Sequence, residues 1–258
     1  MTWKESVTTL VGALAKNPSV ALFDVQVGEP ATESEIALVQ ERLGYALDSR
    51  FLDYFRQCNG LRLRWIEPIG DPPADLTSAF FENHQSGLSC GSINIPPLGA
   101  LFPQTMDYRF NREDDFSPNQ HREPILGGCC EGALRNSLRP IDDYLQSTSD
   151  SSFYNVGLVA DARYPDPVCI LTTDYSAALS DCAPMRARAY LDFVVASCGL
   201  TRARLHAMRS HGSAGDYPIV ESVPRFARDP EEFLAYLLDQ LPLERNREIA
   251  TAFEAVGS

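Results

Sequence analysis

Apolar residues fall at helical spacing from the start of the chain. Val7, Leu10, Val11 and Leu14 follow Lys4 and Glu5, which predicts an amphipathic N-terminal helix. Thr32 to Gly44 has the same period: Thr32 and Glu35 stand at capping-box spacing, Ile36, Val39 and Leu43 share a face, and Gly44 ends the run. Another helix begins at the Asp48 cap, carries Phe51, Leu52 and Phe55, and stops at Asn59-Gly60. There the period changes. Leu61, Leu63 and Trp65 alternate with Arg62 and Arg64, the pattern of a half-buried strand, and Ile93 and Ile95 mark a second one closed by Pro96-Pro97.

Residues 98 to 150 are richer in polar and turn-forming types. Long structureless loops are rare in compact domains, so short elements are expected there, including a helix over Pro140 to Gln146. Phe153 to Ala160 and Val168 to Thr172 are predicted strands joined through Tyr164-Pro165-Asp166-Pro167. Pro184 to Cys198 is a predicted helix with Tyr190, Leu191, Val194 and Val195 on its apolar face and Gly199 at its end. A connector over 210 to 228 leads to a last helix, opened by Asp229-Pro230-Glu231-Glu232 and carrying Phe233, Tyr236, Leu237 and Leu241. Helices first, a sheet in the middle and helices last make an α+β fold.

Composition narrows the class. With 44% hydrophobic residues over 258 positions, the chain has enough apolar surface for a sizeable core without disulfide or metal staples. Its formal net charge of −13 argues against nucleic acid and anionic membrane as direct partners, and it suits a cationic protein. The charge is unevenly placed: residues 1 to 185 hold 25 acids and 13 bases, whereas 186 to 258 are nearly neutral. Seven cysteines without regular spacing point to a reducing cytoplasm, and no apolar run approaches the ~18–20 residues that span a bilayer.

Candidate chemistry is sparse. The Cys129-Cys130 doublet near His121 lacks a signature for thiol catalysis, and the four histidines, His84, His121, His206 and His211, have no zinc-binding spacing. Glu113-Asp114-Asp115 lacks the alternation of a calcium loop. Gly87-Leu88-Ser89-Cys90-Gly91 has the bare form of a hydrolase elbow, but polar residues precede it and a strand follows, the reverse of what the elbow needs. No catalytic, cofactor-binding or metal-binding residue is therefore assigned, and no enzyme is expected; Ser89 and Cys130 are the positions an enzyme would use.

One stretch resembles a known family. Pro30-Ala31-Thr32-Glu33-Ser34-Glu35-Ile36 leads to Leu43-Gly44, then Leu47-Asp48, Phe51-Leu52-Asp53-Tyr54-Phe55, Cys58-Asn59-Gly60-Leu61 and Trp65. This resembles the opening of the SUKH superfamily, with Asp48 where the family usually has proline. Phe153 to Leu200, around Ala189-Tyr190-Leu191-Asp192-Phe193, resembles the family's later half. The likeness covers roughly residues 1 to 200. It implies a central, mostly antiparallel sheet packed with helices in 1–200, leaving 201–258 as a helical C-terminal extension on or beside it. Bacterial SUKH proteins include immunity proteins that bind and neutralise secreted toxins, often nucleases, in the producing cell's cytoplasm; fungal relatives regulate or scaffold cell-wall synthesis. Either use is protein binding without a cofactor.

The resemblance and the acidity together predict a monomer that binds the cationic surface of a cognate toxin domain and blocks its active site or substrate groove. Its acidic face would comprise Glu67, Asp71, Asp75, Asp142, Asp143, Asp161, Asp166 and Asp174, with Trp65 and Tyr175 as aromatic anchors. Association is then expected to be fast and salt-sensitive. An intracellular regulator or scaffold without a toxin partner is the alternative.

Overall fold

The computed structural model describes residues 2–68, 73–86, 90–103, 124–126, 129–130, 138–146, 153–172, 184–200 and 219. Helix α1, Trp3–Lys16, opens with a capping box between Thr2 and Glu5 and buries Val7, Leu10 and Leu14. Helix α2, Glu33–Leu43, has a second box between Thr32 and Glu35 and ends at Gly44, whose φ of 72° is the left-handed conformation that favours glycine. Helix α3, Ser49–Gln57, begins where the Asp48 carboxylate accepts the Arg50 N–H. All three start and stop where their caps dictate, and each buries one stripe.

Strand β2, Leu61–Ile66, is the middle of a three-stranded antiparallel sheet, between β1, Ala21–Val27, and β3, Cys90–Ile95. Its central position explains why it is more buried than simple alternation implies. Leu61, Leu63 and Trp65 are enclosed on one face, while Arg64 and Ile66 are also buried. Helix α4, Leu76–Ser86, covers the Arg64 side: Phe80 packs edge-on against Phe23, and the Arg64 guanidinium lies 5.6 Å from the Phe80 ring centre. The short helix α5, Leu98–Leu101, follows β3 and buries both its leucines. A two-stranded unit pairs β4, Pro124–Leu126, with β5, Cys129–Cys130.

A four-stranded antiparallel sheet runs in the order β6, Leu138–Gln146; β7, Phe153–Val159; β8, Val168–Thr172; and β9, Met185–Arg186. Helix α6, Ala187–Ala196, completes the described elements and buries Tyr190, Leu191, Phe193 and Val194. The architecture is α+β, with helices packed against two antiparallel sheets. Full burial of large side chains such as Phe51, Phe55 and Phe193 contributes roughly 1.5–3 kcal/mol each before the conformational entropy cost. No described helix is long and apolar enough to cross a membrane.

Two local expectations change. Pro140 to Gln146 is the end of strand β6 rather than a helix. Nine residues of β6 face seven of β7, and the pairing shifts between Pro140 and Asp142 and again between Asp142 and Leu145. Two bulges stretch the alternation of a strand until its apolar spacing imitates a helical one. The helix expected over Pro184 to Cys198 starts later, at Ala187, because Met185 and Arg186 first pair with Cys169 and Val168. The predicted final helix and connector lie outside the described residues.

The end of α6 is docked tightly on β3. Cys198 and Gly199 both adopt left-handed backbone, with φ of 51° and 65°. This reversal lets the Gly199 carbonyl accept the Ser92 N–H at 2.8 Å and brings Leu200 opposite Gly91. The Trp65 indole N–H, arriving from β2, donates to the Cys198 carbonyl at 2.7 Å. Gly91 is the floor of this junction: a Cβ there would stand 2.1 Å from Trp65 Nε1 and 2.8 Å from the Cys198 oxygen. Gly91→Ala is therefore expected to destabilise the chain by about 1–3 kcal/mol in urea unfolding, through overpacking. Gly12→Ala, in α1 with no atom within 4 Å of the new methyl, should instead stabilise by about 0.5–1 kcal/mol. Equal midpoints for the two variants would contradict the junction described.

Candidate functional site

Among the described residues, the expected acidic face is largely occupied within the fold. Asp142 is 0% exposed in β6; it accepts the Asn94 N–H from β3 and the Tyr190 hydroxyl from α6, joining two strands and a helix. It is a core carboxylate, kept in place because a buried charge must have its hydrogen bonds supplied. Trp65, expected as a surface anchor, is 1% exposed and faces the end of α6. Both assignments to a toxin-facing surface are thus overturned by burial. Alternation in a strand marks which residues share a face, but it does not reveal that both faces are covered.

The remaining described acids lie nearer the surface with local duties. Asp75 is exposed and caps α4: its carboxylate accepts the N–H groups of Thr77 and Ser78 and the Ser78 hydroxyl, bonds that lower its pKa. Asp161 takes three bonds from Arg163, and the guanidinium holds its carboxyl below the usual range. Glu67 is half-buried, and its carbonyl receives the Asn83 side-chain amide at 3.1 Å. Asp71, Asp174 and Tyr175 lie outside the described residues. Asp143 is placed in β6 by its backbone, and its side chain also lies outside the description.

Asp166 is the centre of an ion-pair network. From the turn between β7 and β8 it meets Arg188 at 3.1 Å, Arg50 at 3.6 Å and Arg186 at 3.9 Å, while its carbonyl accepts from Arg186 Nη1. The neighbouring Pro165 carbonyl accepts the Asp48 N–H at 2.7 Å, so the turn is tied to the start of α3. Farther along α3, Tyr54 donates to Asp192 of α6 at 2.7 Å and packs edge-on against Trp3 of α1. Asp192 is exposed as a residue, yet the protein crowded around its carboxyl raises its pKa, against the opposing pull of Tyr54 and Arg188. These groups fasten α1, α3, α6 and the turn to one another.

A second polar cluster lies on the face of the three-stranded sheet that α4 partly covers. Asp24 has left-handed backbone, φ 56°, within the irregularity between Phe23 and Gln26 that shifts the register of β1. Its Oδ2 lies 2.6 Å from Arg62 Nη2 and 3.9 Å from Arg64 Nη1. Arg64 is buried beneath α4, whereas the Arg62 side chain is 42% exposed. The Leu-Arg-Leu-Arg-Trp alternation placed Arg62 and Arg64 alike on the polar side and did not tell the exposed one from the buried one. Asp24, which steadies Arg62, gave no signal because the bulge erases the period of β1.

Other candidate chemistry has no assembled site in the description. Among the described residues no three His, Cys, Asp or Glu side chains are grouped to hold a metal. Cys58, Cys90, Cys169 and Cys198 are buried thiols; burial pushes Cys169 well up and Cys198 up to about 12, which suppresses the reactive thiolate. Ser89, His121, His206 and His211 lie outside the described residues, and only the backbones of His84 and Cys130 are described. No protein-family model, curated protein or solved structure matches the chain.

The network makes opposite predictions for two aspartates. Asp166→Asn removes the charge shared by three arginines and should cost about 1–2 kcal/mol, more than an isolated surface pair. Asp192→Asn keeps an oxygen for the Tyr54 hydroxyl and removes a charge whose pKa is raised, so stability at pH 7 should be unchanged or higher. The raised pKa of Asp192 adds stability as pH falls through its folded value. The lowered pKa values of Asp48 and Asp161 act the other way: their contribution is present above about 3.9 and is lost below it, through their folded values. Thermal melts of the three proteins from pH 7 to pH 3 check these signs; a destabilised Asp192→Asn at pH 7 would contradict them.

Proposed function

We propose that this chain is a SUKH-type immunity protein that binds a cognate secreted toxin domain and blocks its active site or substrate groove. The supporting observation is the role of the residues that resemble the SUKH opening. Thr32 and Glu35 cap α2, Gly44 ends it, Asp48 caps α3, and Trp65 enters the core. Asn59 and Gly60 form a clasp: Asn59 Oδ1 accepts the Leu98 N–H at 2.7 Å, and the Gly60 carbonyl accepts the Gly28 N–H at 2.9 Å. These are fold-making roles, as the likeness requires, and they leave the outer surface available for recognition.

Binding by such a protein needs shape and a few anchoring side chains rather than a reacting group. Burial of Trp65 and Asp142 moves the contact elsewhere on the surface. The internal bonds of Asp75, Asp161 and Asp166 also reduce the share of the net charge available to a partner, so steering contributes less than the total of −13 implies.

The decisive test is protection. Co-expression of the chain with the C-terminal domain encoded by the adjacent upstream gene should restore growth of cells poisoned by that domain, and the two should co-purify. If deletion of the gene leaves its host insensitive to every neighbouring toxin, immunity is the wrong reading. Recovery of housekeeping proteins in its place would favour the regulator or scaffold.

A further inference from the structure

Asn59-Gly60 is the only Asn-Gly pair in the chain. Such a pair carries latent chemistry, because glycine has no side chain to keep its backbone nitrogen away from the carboxamide before it. Here the pair is built into the clasp between the end of α3, β1, β2 and α5. The Asn59 N–H donates to the Glu29 carbonyl at 3.2 Å, and Asn59 Oδ1 accepts the Leu98 N–H at 2.7 Å. The Gly60 N–H donates to the Cys58 carbonyl at 3.1 Å. The Gly60 carbonyl accepts both the Gly28 N–H at 2.9 Å and the Cys58 thiol at 3.1 Å. The Gly60 nitrogen and the carboxamide it would attack are thus both committed to other partners.

The space around the pair is equally fixed. Gly28 lies so close to the Asn59 carbonyl that a Cβ on it would stand 2.2 Å from the Asn59 oxygen and 2.6 Å from its carbon. On the other side, a Cβ on Gly60 would stand 3.1 Å from the Pro97 nitrogen and 3.2 Å from the Ile95 oxygen. Gly60 itself has a φ of 106° and is buried, while Asn59 is half-buried. The backbone at this point cannot rotate or lengthen without parting β1 and α5 from the start of β2.

We propose that Asn59 is a site of spontaneous deamidation which the closed clasp suppresses, and that its isoaspartate product cannot be built back into the clasp. When the segment opens, the Gly60 nitrogen gives its proton to hydroxide and attacks Asn59 Cγ. A Cγ–N bond to Gly60 forms, the Cγ–Nδ2 bond breaks, and the departing NH2 takes a proton from water. Ammonia leaves, hydroxide is restored and a cyclic imide remains. Water then opens the imide at one of two bonds. Cleavage of the new bond gives aspartate, which keeps an oxygen for the Leu98 N–H. Cleavage of the original peptide bond gives isoaspartate, whose main chain runs through Cγ and is longer by a methylene. Gly28, Ile95 and Pro97 leave no room for that extra length. Water is the only co-reactant, and nothing is oxidised or reduced.

The test incubates the full chain in mildly alkaline buffer, with and without urea above its unfolding midpoint. Mass spectrometry follows the peptide containing Asn59 for the change from amide to acid, and chromatography against synthetic peptides separates aspartate from isoaspartate. Conversion at Asn59 is expected in urea and should be at least about tenfold slower in buffer, because only opened molecules react. Gly28→Ala, whose methyl must push the Asn59 carbonyl aside, should speed conversion in buffer at least about threefold, while Gly12→Ala makes it no faster. After return from urea to buffer, chains carrying isoaspartate should exchange the Leu98 N–H rapidly. Asn59→Asp, which keeps an acceptor for that group, should stay protected.

No conversion of Asn59 in urea, or equal rates in buffer and urea, overturns the proposal. An unchanged rate in folded Gly28→Ala also overturns it, as does an isoaspartate chain whose Leu98 N–H remains protected. If Gly28→Ala fails to fold, the comparison of the unaltered chain in buffer and in urea decides alone. None of these measurements involves a partner, so the deamidation site and the immunity reading stand or fall separately.

Discussion

The hydrogen bond from the Trp65 indole to the Cys198 carbonyl joins parts of the chain 133 residues apart. Around it, the two left-handed residues at the end of α6 turn the backbone onto β3, and Gly91 permits the close approach. Asp142 performs the corresponding task a few residues away, reaching from β6 to β3 and α6 together. The two contacts make the three-stranded and four-stranded sheets parts of one core. A carbonyl already committed at a helix end and a carboxylate enclosed among apolar side chains are both costly if left without donors. Their partners are therefore strongly specified.

Much of the helical framework was legible in the sequence because caps are local chemistry. Thr32 with Glu35, Asp48, Gly44 and the Gly199 stop act over a few residues and need no distant information. Strands were legible where alternation survived, as in β2, or where an apolar run was bounded by turn residues, as in β7 and β8. They were missed or misread where a bulge disturbed it: Asp24 hides β1, and two bulges make β6 resemble a helix. Helix α4 went unread because its apolar residues, Leu76, Ala79, Phe80 and Phe81, are confined to its first half.

The surface was harder to infer than the fold. An aspartate is normally exposed, but whether a particular one faces a partner depends on which donors the fold brings to it. Asp142 meets Asn94 and Tyr190 from 48 positions away in opposite directions along the chain, and Asp166 gathers Arg186 and Arg188 from beyond the next strand. Local charge counts contain none of this. They locate excess charge correctly and overstate how much of it is left for a partner.

The left-handed turn at Asp24 also governs how the sheet can end. A regular edge strand offers evenly spaced N–H and C=O groups, on which another chain can continue the ladder into a dimer or an aggregate. In β1 the bulge interrupts that spacing midway, just before the two exposed valines, and leaves the edge a poor template for an added strand. Two apolar side chains can therefore stand exposed on this strand without the strand serving as a ready ladder for a second chain.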